Sequence, residues 1–493
     1  MIQMRSAASL GVPLAGLAAL SLGALSLAAC TTPRPADVRL PGAYEAPADA
    51  APAGAIALDQ WWTAYGDPQL TELVQQALVR NTDVQLAAAR LREIRAQRTS
   101  VILQYLPQGD ARGTASRTET DQLSGTRVDI PGFSTSGTSE RYTADLNVSW
   151  EIDLFGRSFA AGRAANAEVA AARFAYEGTR AAIAAQTADA YFQARGLAIQ
   201  LADAQETARI ARELYDLASK RGSLGLSATS EADRLAGDLS RAEGSIASLE
   251  AELQVQKRAL LILAGRVVEP TASVTAPPRV GEAPPIPASL PSELLQRRPD
   301  VREAQQRVRS AAGQQQLAAL AFFPTFTFTP GIGWSRQEQP GFSSESQSWT
   351  IGGSVLQPVL SIPRLLAELK VQNARTDQAV TQYEKTVRTA FQEAESSLVR
   401  LDAERRRVEL LVEGEARARW AFEASRLGYQ RGLTDLNTLL NNETAWRATR
   451  TQLTSAQVQA LRQSVQAYKA IGGGWPAQAY ADARPRAAAT TAQ

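Results

Sequence analysis

Between Thr143 and Gly156 the chain reads TADLNVSWEIDLFG, and its polarity alternates residue by residue. Ala144, Leu146, Val148, Trp150, Ile152 and Leu154 are apolar; Thr143, Asp145, Asn147, Ser149, Glu151 and Asp153 are polar. A period of two predicts a strand with one apolar face and one wet face. TFTFTPGIGW (325–334) and QSWTIGGSVLQP (347–358) alternate in the same way. The partner expected near 108–117, QGDARGTASR, is poorly marked. Gly/Ser/Thr-rich stretches at 118–140 and 335–346 read as loops between the strands.

Elsewhere the period is helical. No proline lies between Pro131 and Pro270 or between Pro363 and Pro476. Residues 157–221 and 364–428 each read as about 65 residues of helix, close to 100 Å long at about 1.5 Å per residue. A helix of that length must pack along neighbours. Leu235, Leu239, Ala242, Ile246, Leu249, Leu253, Leu260 and Leu263 step by fours and threes, with Gln256 as the one polar break. Val380, Tyr383, Val387, Ala390, Ala394, Leu398 and Leu401 repeat those steps. A seam of period 3.5 predicts coiled-coil packing.

The elements occur twice. Asp83-Val84 recurs as Asp300-Val301 and Leu106-Pro107 as Phe323-Pro324, an offset of 217. Farther on the offset is 207: Gly156-Arg157 falls on Pro363-Arg364, Gly225 on Gly432, Gly265 on Gly472. Each half therefore reads helix, strand pair, very long helix, glycine-marked turn, helix. The ten-residue difference falls inside the strand pair, where a loop can absorb it. The organisation expected is a signal peptide (1–29), a tether (30–58), a first repeat (59–266), a Pro-rich linker (267–291), a second repeat (292–475) and a tail (476–493) with a disordered end.

Composition narrows the chemistry. Basic and acidic residues number 52 and 50, with no basic stripe, so a nucleic-acid partner is not expected. There is no histidine. The commonest general base and metal ligand are therefore absent, and no catalytic residue, metal site or cofactor is expected. The single cysteine, Cys30, follows an apolar run from Ala7 and the sequence Leu27-Ala28-Ala29. This pattern resembles a bacterial lipobox and makes Cys30 the expected site of covalent lipid. Thr31, rather than Asp, follows it, which by the same resemblance favours the outer membrane. After the signal no apolar run approaches the roughly 18–20 residues of a spanning helix, so a membrane crossing would need a barrel. Four strands cannot close one, and open edges cannot face lipid. Several chains must pool their strands.

WEIDLFGR (150–157), RRPDV (297–301), FFP (322–324), GGGW (472–475), the lipobox and the repeat together resemble the TolC/OprM-like outer membrane factors, over nearly all of the mature chain. The resemblance implies a mainly α fold with a small β part. It implies a homotrimer whose twelve-stranded β-barrel, four strands per chain, continues into a long coiled-coil α-helical barrel. It further implies a passive exit duct for small molecules in a tripartite efflux pump. The partners would be a periplasmic membrane-fusion adaptor, an inner-membrane RND-type transporter and outer membrane lipid. Leu146, Val148, Trp150, Ile152 and Leu154 would then face lipid, and Asp145, Asn147, Glu151 and Asp153 would line water. The periplasmic aperture would fall at the second glycine-marked turn, with Thr434, Asp435, Asn437 and Asn441 as its residues. Many relatives of this kind carry an acid after Leu-Leu at this turn; here the sequence is Leu439-Leu440-Asn441. The alternatives are a periplasmic coiled-coil scaffold or adaptor lipoprotein, a protein-secretion duct, and an envelope hydrolase, for which no nucleophile–base pair is present. Arg298-Pro299-Asp300 reads as a helix start. Gly472-Gly473-Gly474 reads as a helix end, not a phosphate loop.

Overall fold

The computed structural model describes residues 34–46, 57–121, 123–124, 129–130, 133–134, 137–225, 228–279, 281–287, 290–339 and 341–476. Cys30 and the tail beyond 476 lie outside them. The elements run α1 (Pro68–Arg80), α2 (Thr82–Leu103), β1 (Gln108–Thr120), β2 (Gly137–Ile152), α3 (Arg157–Ser223), α4 (Thr229–Leu263), α5 (Pro299–Leu320), β3 (Thr325–Gln339), β4 (Phe342–Leu356), α6 (Ile362–Gln430) and α7 (Leu436–Ala470). A 3-10 segment, Leu58–Tyr65, precedes α1. The two long helices span 67 and 69 residues. Among the described residues no helix is long and apolar enough to cross a membrane.

The chain forms two compact units, each drawing on both repeats. The first takes in residues 92–170 and 305–382, and its centre is a four-stranded antiparallel sheet in the order β1-β2-β3-β4. The repeat is visible in its ladders. Gln108 pairs with Ser149, and Thr325 with Leu356, so the offsets of 217 and 207 hold rung for rung. The ten-residue difference sits between Thr120 and Gly137, where Asp129–Ile130 and Phe133–Ser134 form a small hairpin. The loop expected at 335–346 is much shorter than the sequence suggests. Serine-rich strands remain paired as far as Gln339 and Phe342, because an alternating hydroxyl face is as compatible with a ladder as with a loop.

The second unit comprises residues 37–91, 171–304 and 383–493. Its main core joins Trp61, Leu70, Leu73, Tyr191, Phe192, Leu260, Leu461, Val465 and Tyr468. Trp61 is fully buried and stacks on Tyr468 at 5.6 Å between ring centres. Of the expected seams, Leu235, Ala242, Leu253 and Leu260 of α4 and Tyr383, Val387, Ala390, Ala394 and Leu401 of α6 are buried, while Leu239, Ile246, Leu249, Leu263 and Leu398 are half-buried. Arg298 is a structural residue. It is buried, ion-paired to Asp300 and Glu393 at 2.7 Å each, and donates to the Ala470 carbonyl. Gly472 and Gly474 have φ of 86° and 95° after the last turn of α7, so the glycine run ends that helix. Part of the expected tether is built into this unit. The Asp37 and Ala46 amides donate to the carboxylates of Glu384 and Glu395, and Tyr44 stacks on Phe391.

Candidate channel wall and aperture

Antiparallel pairing places directly opposed residues on one face of a sheet. One face therefore carries the rows Ala111–Leu146–Ile332–Trp349, Trp150–Phe328–Gly353 and Ile152–Phe326–Val355. The other carries Asp110–Asn147–Gly331–Thr350 and Arg112–Asp145–Gly333–Ser348. The apolar face is uncovered in the single chain: Leu146 is 47% exposed, Ile332 55% and Trp349 77%. Val148 is half-buried, its side chain lying 3.1 Å from where a Cβ on Gly109 would stand. On the polar face Gly331 and Gly333 leave the room in which Asn147 and Asp145 lie down; a Cβ at Gly333 would come within 2.8 Å of an Asp145 oxygen.

The strand ends at Ile152, two residues before the alternation does, and this corrects two of the expected positions. Asp153 does not line the polar face. Its carboxylate accepts the Arg157 and Ser158 amides at 2.8 Å each, capping the exposed N–H groups at the start of α3. Leu154 is exposed but lies beyond the sheet. The rest of WEIDLFGR completes the joint. Glu151 pairs with Arg157 at 3.1 Å, Phe155 stacks on Phe323 at 4.7 Å, and Gly156 takes φ 80°. Trp150 Nε1 donates to the Tyr105 carbonyl.

At the other ends of α3 and α6 the chain turns through Gly225 and Gly432, at φ 72° and 73°. In the second turn the Leu433 amide donates to the Gly428 carbonyl at 2.8 Å, which closes the end of α6. Gly428 has no room for a Cβ, because Thr434 Oγ1 occupies its place. Asp435 is the N-cap of α7: it accepts from the Thr438 amide at 3.0 Å and from the Thr438 hydroxyl at 2.6 Å. Those bonds favour its charged form and hold its pKa below the usual carboxylate value. Asn437 accepts from Arg234 of α4 at 2.9 Å, which ties the second turn to the helix that follows the first. Asn441 is exposed, not packed into the tip. Beneath the turns one apolar cluster joins all four long helices through Ile210, Leu214, Leu235, Phe422, Leu436 and Trp446.

Two groups in this layer escape the sequence reading. Glu443 is 5% exposed, with Arg447 at 3.4 Å. Asp203 of α3 pairs with Arg450 at 2.5 Å. Burial raises the pKa of both, against the opposing pull of those arginines. A signal for Glu443 exists: it stands three and seven residues after Leu440 and Leu436, on the apolar stripe of α7. Both acids border a cleft of about 600 Å³ between α3, α4 and α7, which Arg234, Asp238 and Arg241 also line.

A sheet with one uncovered apolar face and very long helices that turn at glycines are the elements of a channel protein of the TolC-like fold. The chain belongs to the outer membrane efflux protein family, whose pattern matches residues 73–266 and 290–473. It is 29% identical over 457 residues to the pyoverdine export outer membrane protein OpmQ of Pseudomonas aeruginosa, covering 92% of this chain and 95% of that one. It is 26% identical over 415 residues to the cation efflux system protein CusC of Escherichia coli, covering 84% and 88%. Among solved structures, the outer-membrane channel OprN superposes with a TM-score of 0.77 at 26% identity, over 90% of this chain and 100% of that one. The protein is an efflux channel of the outer membrane that extends into the periplasm. Its family is made of outer membrane efflux proteins.

Proposed function

We propose that three copies of this chain close a barrel in the outer membrane and form a passive duct, the exit of a tripartite pump for small molecules. The observation that carries this reading is the sheet, which has two open edges and one uncovered apolar face. Neither is tolerable in water or in lipid unless the edges pair and the face meets hydrocarbon. The apolar rows from Ala144 to Ile152 extend about 27 Å along the strand at about 3.4 Å per residue. At a tilt of about 40° that gives about 21 Å of height, near the roughly 25 Å of an outer membrane barrel. Trp150 near one end of the band and Trp334 near the other, each with its indole N–H bonded, support the placement of the two interfaces.

On this reading Leu146, Val148, Trp150 and Ile152 face lipid, and Asp145 and Asn147 face the lumen. Thr434, Asp435, Asn437 and Asn441 surround the narrowest point at the periplasmic end. Cys30 carries the acyl chains that hold the N-terminus at the membrane, and no cofactor takes part. Energy comes from an inner-membrane transporter of RND type, reached through a periplasmic membrane-fusion adaptor. Crosslinking in native envelopes followed by purification of this chain tests the assignment. An adaptor and a proton-driven transporter should co-purify, and the mature N-terminal peptide should begin at an acylated Cys30. Recovery with a protein-secretion ATPase instead would move the duct to a different pump class, and a free Cys30 thiol would remove the lipid anchor.

A further inference from the structure

The sheet leaves β1 and β4 as its two edges, and the internal repeat specifies how they meet in the assembly. Within one chain β2 of the first repeat pairs with β3 of the second, setting Ala144 opposite Trp334, Leu146 opposite Ile332 and Asn147 opposite Gly331. If the repeats are equivalent around the barrel, β4 of the second repeat meets β1 of the next copy as β2 meets β3. The offsets that the ladders obey, 207 for β2 onto β4 and 217 for β1 onto β3, convert one junction into the other. Asn147 becomes Ser354, and Gly331 becomes Thr114.

We propose that β4 of one copy pairs antiparallel with β1 of the next in a single register, which sets Ser354 opposite Thr114, Val355 opposite Gly113, Gly353 opposite Ala115 and Ile351 opposite Arg117. This rests on the three-copy barrel proposed above and adds its seam. Face and side-chain size are both consistent with the register. Parity is preserved: odd positions of β4 and odd positions of β1 are those on the apolar face, so the face continues across the seam. Size also matches. Where β1 meets Gly353 and Val355 its residues on that face are Ala115 and Gly113, small enough to lie beside the branched Val355; farther along, the same face carries Arg117 and Glu119. A slip of one residue would oppose Ile351 and Val355 to polar-face residues of β1 such as Ser116 and Arg112, and a slip of two would leave parity intact but break the equivalence of the repeats.

Disulfide trapping reads the register directly. Opposed Cα atoms in an antiparallel pair lie about 4.5–5.5 Å apart, within disulfide reach, whereas diagonal neighbours lie about 7–8 Å apart and do not bridge. In a Cys30→Ser background, Thr114→Cys with Ser354→Cys should convert on oxidation to a covalent trimer on a non-reducing denaturing gel. Thr114→Cys with Gly352→Cys, and Thr114→Cys with Leu356→Cys, should stay monomeric on the same gel. Linking in one of the offset pairs, or in none while light scattering still gives the mass of three copies, overturns the register and leaves the trimer standing. A mass of one copy without linking overturns the three-copy reading itself.

Discussion

Asp435 has one role that the structure shows and one that the proposed aperture gives it: its carboxylate caps α7, and on that proposal its charge faces the opening. Asp435→Asn keeps a good N-cap and removes the charge, whereas Asp435→Ala removes both. If three copies converge near the channel axis, both variants should lower cation preference in bilayer reversal-potential measurements. Only the alanine variant should speed amide exchange at the start of α7. Asn441→Asp should strengthen cation preference and Asn441→Arg should favour anions. Unchanged selectivity in all four variants would make this turn structural and place the constriction elsewhere. Glu443 supplies a prediction of a different kind. Its pKa is raised by burial, so the folded protein takes up the proton at a higher pH than the unfolded chain. Its contribution to stability therefore grows as pH falls through the folded pKa and is lost as pH rises. Asp203 has the same sign. Glu443→Gln should raise the Tm on the alkaline side of the Glu443 titration by about 2 °C, on the order of 1 kcal/mol, and flatten the pH dependence of the Tm above the usual carboxylate range. A lower Tm on that alkaline side in the glutamine variant would contradict the assignment, since Arg447 is solvated enough to lose its partner cheaply.

At the scale of elements, the joint between β2 and α3 shows why WEIDLFGR reads as a motif without being a binding site. Glu151 and Arg157 pair, Asp153 caps the helix start and Phe155 stacks on Phe323, so that a strand can end and a 67-residue helix begin. The alternation made β2 plain from sequence, because its apolar positions are bulky. Where those positions are small the strand vanishes from view. In β1 they are glycine and alanine as far as Ala115, then Arg117 and Glu119, which carry no period-two apolar signal although the strand is 13 residues long. Burial was legible in the same uneven way. The α4 and α6 seams were read from heptad spacing, but the bond from Arg234 to Asn437 and the pair Asp203–Arg450 join residues more than two hundred apart, which spacing cannot reveal. Thiol labelling tests the faces of β2. In a Cys30→Ser background, single cysteines at 146, 148, 150 and 152 should react with a lipid-soluble maleimide, and those at 145, 147, 149 and 151 with a membrane-impermeant one. Equal labelling at both parities would reject the barrel wall.

At the scale of the whole molecule, the twofold repeat is the feature the sequence displays most fully and the structure uses most widely. It places a strand pair before each long helix and a glycine turn after it, so that one set of instructions, written twice, builds both the sheet and the helix turns. What the repeat cannot convey is that each compact unit takes pieces of both copies, because that division follows three-dimensional contact and not chain order. Closure of the wall by further copies is the central claim, and conduction is its most direct consequence. Purified protein added to a planar lipid bilayer should insert in discrete events, each adding a fixed step of current without nucleotide or any other energy source. Protein that vesicle flotation shows to be membrane-inserted, yet that produces no current step, would contradict the account.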